Sequence, residues 1–150
     1  MMVTRLAYKK AESLRTQFPD AVIIGSDQCA VIDDVILGKP ENFERAFLQL
    51  KAASGKTVEF HTGLCLLDNA SEEVQLDDVV FKVHFKCLSD GMIDNYLRKE
   101  RPFDCAGSFK AEGLGVALFS RMEGEDPNAL IGLPLIRLVA MLEQTGVGVI

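Results

Sequence analysis

The sequence predicts an α/β or α+β fold with a mixed sheet and flanking helices. Three observations carry this reading. The hydrophobic pattern switches between helical and strand periodicity all along the chain, in the order helix, strand, strand, helix, then strands and helices mixed. The length of 150 residues suits a single domain. Hydrophobic residues at 48% and charged residues at 25% match a folded globular chain rather than a disordered or fibrous one.

Each element has a local reason. From Thr4 to Gln17, Leu6, Lys10 and Leu14, with Ala7 and Ala11 beside them, recur at helical spacing until Phe18-Pro19-Asp20 breaks the pattern. Ala21 to Ile24 is a continuous apolar run, expected of a strand buried on both faces, and Gly25-Ser26-Asp27-Gln28 reads as its polar end. Cys29 to Ile36 is strand-like around an acidic turn at Asp33-Asp34, and Leu37 to Pro40 forms a loop. Phe43, Ala46, Phe47 and Leu50 mark a helix over Asn42 to Ala53, which Ser54-Gly55-Lys56 ends. Val58 to Leu67 reads as a strand.

Asp68 to Glu73 is a polar, hairpin-like stretch leading into Val74 to Leu76 and Val79 to Phe85, where Phe81, Val83 and Phe85 alternate with Lys82, His84 and Lys86. Met92, Ile93, Tyr96 and Leu97 form a short amphipathic helix with Ser89 or Asp90 as N-cap, stopped at Arg101-Pro102. Phe103 to Gly115 is rich in small residues and suits a ligand loop. Val116 to Phe119 reads as a strand, Glu123 to Asn128 as a polar loop, and Leu133 to Gln144 as a last helix opened by Pro134. A helix at the front, with no earlier strand to cover, predicts that an element is missing there.

Composition excludes several function classes. The formal charge of −6 argues against a broad footprint for duplex nucleic acid or an anionic membrane. The apolar runs fall short of the ~20 residues that a spanning helix needs, and the N-terminus lacks a signal-peptide core, so a cytoplasmic location is expected. Cys29, Cys65, Cys87 and Cys105 are scattered without a C-x-x-C pair and are expected to be reduced thiols.

The chemistry-bearing residues fall into one constellation. Ligands of open α/β sheets collect outside the carboxyl ends of strands, which makes Asp27 the first candidate. Neither a Walker loop nor a dinucleotide fingerprint is present. Lys10, Lys39 and Lys110 are suited to neutralising phosphate, while Asp27 and Glu112 are suited to holding a divalent metal, activating water or reading a base.

The segments LAYKKAESL, FPDAVIIGSDQ, ILGKP, LQLKAASGKTVEFHTGLCL, LSDGMIDNYLRKERPFDCAGSFKAEGLG and GEDPNALIGLPL, in this order, resemble the Maf family of nucleoside triphosphate pyrophosphatases along nearly the whole chain. Ser26-Asp27-Gln28 followed by CAGSFKAEG looks like the branch that hydrolyses 7-methyl-GTP; the dTTP/UTP branch has Ser-Asp-Thr and a Gln in place of Glu112. The resemblance implies a twisted mixed sheet of the Maf and inosine-triphosphatase type. It also implies cleavage between the α- and β-phosphates with a divalent cation (Mg²⁺, Mn²⁺ or Co²⁺), a small nucleotide as substrate, and a homodimer. Residue by residue, it implies Asp27 as general base, Gln28 as its specificity neighbour, Glu112 as the base reader, and Lys10 and Lys39 in the phosphate pocket. A carboxylate at 112 can accept both N–H groups on guanine's edge and favours the positive charge of a 7-methylated ring.

The family's opening strand, its Ser-x-Ser-x-x-Arg-Arg loop and a following Asp-Glu segment find no match in this sequence, and the branch's Trp beside the base is absent because the chain has no Trp. The expectation is therefore one Maf-like domain over 1–150, N-terminally truncated and lacking its first strand. The bidentate arginine contacts of that loop are ones a lysine does not reproduce. A second reading follows: a weakly active or inactive paralogue that binds nucleotide or dimerises.

Overall fold

The computed structural model describes residues 2–150. In chain order it contains α1 (Met2–Glu12), β1 (Val22–Ile32), β2 (Val35–Leu37), α2 (Phe43–Ala53), β3 (Thr57–Asp68), β4 (Glu73–Phe85), α3 (Asp90–Glu100), β5 (Phe119–Glu123) and α4 (Leu135–Gln144), with short 3₁₀ turns at Ala106–Ser108, Leu114–Leu118 and Pro127–Ile131. The strands form a five-stranded sheet in the order β2-β1-β3-β4-β5. Pairing is antiparallel between β1 and β2, with Val31 opposite Ile36, and between β4 and β5, with Val83 opposite Met122. This is the mixed α/β class that the sequence predicts.

The chain divides into two compact units. The first comprises Met1–Gln28, His61–Val80 and Glu125–Ile150, the second Cys29–Phe60 and Phe81–Gly124. In the first unit, α1 buries Val3, Ala7 and Ala11 completely, while Leu14 stays 39% exposed. The buried stripe of α1 is thus Val and Ala rather than the Leu6–Leu14 row. The reason is close approach: a Cβ on Gly25 would lie 2.1 Å from the Ala7 carbonyl oxygen, and one on Gly63 2.4 Å from that of Val3. Glycine in both strands and alanine on the helix let the two backbones nearly touch. Ala7 and Ala11 pack there with Ile23, Cys65 and Leu67, and α4 brings Leu138 and Met141 onto Leu64 and Leu66.

The second unit has an aromatic core. Phe109 meets Phe60, Phe85 and Phe119 edge to face with centroids 5.0 to 5.4 Å apart, the geometry that ring quadrupoles favour. Asn42 caps α2 by accepting from the Arg45 amide, and Ser89 caps α3 by accepting from that of Met92.

Two expectations need correction. The polar Gly25-Ser26-Asp27-Gln28 is not the end of a strand, because β1 runs through it from Val22 to Ile32. Val116 to Phe119 is not a strand either: Leu114–Leu118 is a 3₁₀ turn, and β5 starts at Phe119. Close contact with the Lys110 carbonyl oxygen, 2.2 Å from where a Cβ would sit, demands glycine at 115 and coils this stretch.

Candidate active site

In the first unit the site is built on regular structure. Asp27 lies mid-strand on β1 with its side chain 20% exposed. Lys10, two turns into α1, donates from Nζ to Asp27 Oδ1 at 2.6 Å and to the Ser26 carbonyl at 2.9 Å. The ammonium thus fixes one carboxylate oxygen, and Oδ2 has no protein partner among the described residues. The Gly25 and Gly63 contacts hold α1 close enough for this reach.

The neighbours of Asp27 are pinned by the segment before α4. Ser26 Oγ donates to the Gly132 carbonyl at 2.7 Å. Gln28 Nε2 donates to the Ala129 carbonyl at 2.6 Å and to Thr62 Oγ1 at 3.0 Å, and Thr62 Oγ1 donates in turn to Ala129 at 2.8 Å. Asp126, only 2% exposed, organises this segment. Its Oδ1 accepts from the Asn128 amide at 3.0 Å, and its Oδ2 from the Ile136 amide at 2.7 Å at the start of α4. A buried carboxylate satisfied by backbone amides at a helix N-terminus is well compensated. The Gln28 amide nitrogen is therefore engaged within its own unit. Sequence reading passed over Asp126; its place after Gly-Glu and before Pro127, an N-cap pattern, was the available signal.

In the second unit the site residues sit on irregular chain. Lys39 is exposed in the loop after β2, Lys110 is half-buried, and Glu112 is exposed. Lys39 and Lys110 share one electrostatic neighbourhood, centred on a residue that sequence reading gave no role. Asp104 has its carboxyl held below the usual range by its own backbone amide, by the Cys105 thiol and by the positive charges of Lys110 and Lys39. Burial, the Asp104 carboxylate and other neighbours push the Cys105 thiol up to about 11, which keeps it protonated and unreactive at neutral pH. Glu112 lies close enough to Tyr96 to contribute to the raised phenol pKa, whose main cause is burial.

Side chains of α3 hold the loop backbone, and one of α2 holds a loop side chain. The Lys110 amide donates to the Tyr96 hydroxyl at 3.0 Å, and the Leu114 amide donates to Glu100 Oε2 at 2.9 Å. Ser108 is fully buried with φ of 64°, following Gly107 at 75°, and its hydroxyl donates to Gln49 Oε1. Such left-handed backbone at a buried serine is costly and persists because its surroundings fix it.

The donor set bears on a metal. No group of three or more His, Cys, Asp or Glu residues stands ready to hold an ion among the described residues. Mg²⁺ commonly takes one or two carboxylates and completes its shell with water and substrate phosphate. A single carboxylate with one open oxygen, as at Asp27, fits that sparse arrangement. No helix of the described residues is long and apolar enough to cross a membrane.

Known proteins place the chain. The family model described as Maf-like protein matches residues 1–145. The 7-methyl-GTP pyrophosphatase of Pseudomonas aeruginosa is 57% identical over 146 residues, covering 97% of this chain and 76% of the relative. Those of Colwellia psychrerythraea and Nitrosococcus oceani are 52% and 53% identical, covering 99% and 97% of this chain and 74% and 73% of theirs. A family model matching residues 1–145, and relatives 52% to 57% identical over nearly the whole of this chain, lead to one conclusion: the chain belongs to the Maf family.

Proposed function

We propose that this Maf-family nucleotide pyrophosphatase hydrolyses 7-methyl-GTP to the monophosphate and pyrophosphate, with Asp27 as general base. The observation that carries the reading is the Lys10–Asp27 pair, in which an ammonium fixes Oδ1 and leaves Oδ2 open. Asp27 takes a proton from water as the water's oxygen bonds to the α-phosphorus, and the α–β anhydride bond breaks to release pyrophosphate. Lys10, Lys39 and Lys110 offset charge gathering on the phosphates. A divalent cation held through Asp27 would supply Lewis-acid stabilisation of that charge.

Glu112 reads the base. Its two oxygens can accept both N–H donors of guanine, and its charge favours a methylated, cationic ring. Gln28 supports the site by tying β1 to Ala129 and Thr62 beside Asp27. Four free cysteines suit a reducing cytoplasm. Pyrophosphate release from 7-methyl-GTP, GTP, dTTP and UTP, measured side by side with Mg²⁺ or Mn²⁺, tests the reading. Turnover should be fastest with 7-methyl-GTP. Nucleotide binding without turnover would make the chain a binding or dimerisation module instead.

A further inference from the structure

In the second unit, Phe43 at the start of α2, Leu97 and Arg98 of α3, and Arg101 and Phe103 beyond it line a cavity of about 380 Å³, within the usual size range of small-molecule sites. None of these residues belongs to the Lys39, Lys110 and Glu112 set. Phe43 and Phe103 stand edge to face at 6.4 Å, above the completely buried Leu97. Arg98 lies 5.4 Å from the Phe43 ring, and Arg101 lies 5.8 Å from that of Phe103.

The two arginines differ. Arg98 is neutralised by a two-point pair with Asp94, at 2.7 and 3.0 Å. Arg101 has no carboxylate partner among the described residues, in a chain whose formal charge is −6. Its backbone is equally telling. Arg101 is the C-cap of α3 in the left-handed conformation, with φ 51° and ψ 56°, and it precedes Pro102. Glycine is the residue this position favours, and the following proline accounts only for the end of the right-handed helix. An arginine standing where the backbone favours glycine points to a use for its side chain.

We propose that this cavity binds a small aromatic anion, its ring packed on Phe43 and Phe103 over Leu97 and its phosphate or carboxylate on the Arg101 guanidinium. A planar fork of donors beside aromatic faces recognises such a ligand by stacking and by paired charge-assisted hydrogen bonds.

The test is calorimetric titration of the whole chain with phenyl phosphate and, separately, benzoate. Tighter binding of phenyl phosphate assigns a phosphate-bearing ring, and tighter binding of benzoate assigns a carboxylate. Arg101→Gly should weaken the preferred probe about tenfold while the thermal midpoint holds or rises, because glycine relieves the left-handed residue. Phe103→Leu should also weaken binding, with Asp27 chemistry unaffected. No binding of either probe, binding that survives Arg101→Gly, or binding lost in Lys39→Ala instead would overturn the proposal.

Discussion

The two units hold their functional groups by different means. In the first, Asp27 on β1 and Lys10 on α1 are held where the helix backbone touches β1 at Gly25 and β3 at Gly63, so van der Waals contact sets the distance between carboxylate and ammonium. In the second, Lys110 and Glu112 ride on an irregular loop that Tyr96 and Glu100 grip by single hydrogen bonds to its amides. Packing resists displacement steeply, whereas a hydrogen bond can be exchanged for water at modest cost. On the proposed reading, the chemical step rests on the stiff frame and base selection on the softer one.

Breaking the stiff frame should cost most. Gly63→Ala places a Cβ 2.4 Å from Val3 backbone atoms, neither of which can swing aside. A loss of about 3 kcal/mol is expected in denaturant unfolding, with turnover falling as α1 and Lys10 shift. Asp126→Ala should follow at about 2 kcal/mol, since it strips the acceptor from the part-buried amides of Asn128 and Ile136 and frees the segment that pins Gln28. Here kcat should fall further than KM rises.

A third effect concerns pH. Cys65 is fully buried in the first unit's core, and burial pushes its thiol up to about 11 from 9.0. Above pH 9 the unfolded chain ionises this thiol while the folded chain keeps it protonated, so the folded state binds more protons and stability falls as pH rises. The loss, roughly 2 kcal/mol and complete near pH 11, should disappear from the pH–stability profile of Cys65→Ala, although that variant is less stable at every lower pH. Tyr96→Phe should show the smallest effect. It removes the acceptor of the Lys110 amide, costs about 1 kcal/mol, and should raise KM for 7-methyl-GTP while leaving kcat nearly unchanged.

Much of this was legible in the residues. Asn42 and Ser89 announce their helices because a short polar side chain ahead of an apolar period has one common use. The alternation from Phe81 to Phe85 places β4 correctly for the same kind of local reason. What misleads is polarity explained only by tertiary structure. Ser26 and Gln28 look like the end of a strand until the carbonyls of Gly132 and Ala129, a hundred residues away, accept their hydrogen bonds. Gly25 looks like part of that same end until α1 is seen against it. The same blindness hid Asp104, placed beside Lys39 and Lys110 by folding alone, whereas Asp126 serves nearby amides and its N-cap pattern was readable.

The most direct measurement is pyrophosphate release from 7-methyl-GTP by Asp27→Asn. The substitution keeps the shape of the side chain and removes its basicity, while the thermal midpoint verifies that β1 and α1 stay in place. A drop in kcat of about 10²- to 10⁴-fold with the fold intact is the predicted result. Turnover equal to that of the unmodified chain would contradict the assignment of Asp27 as the base.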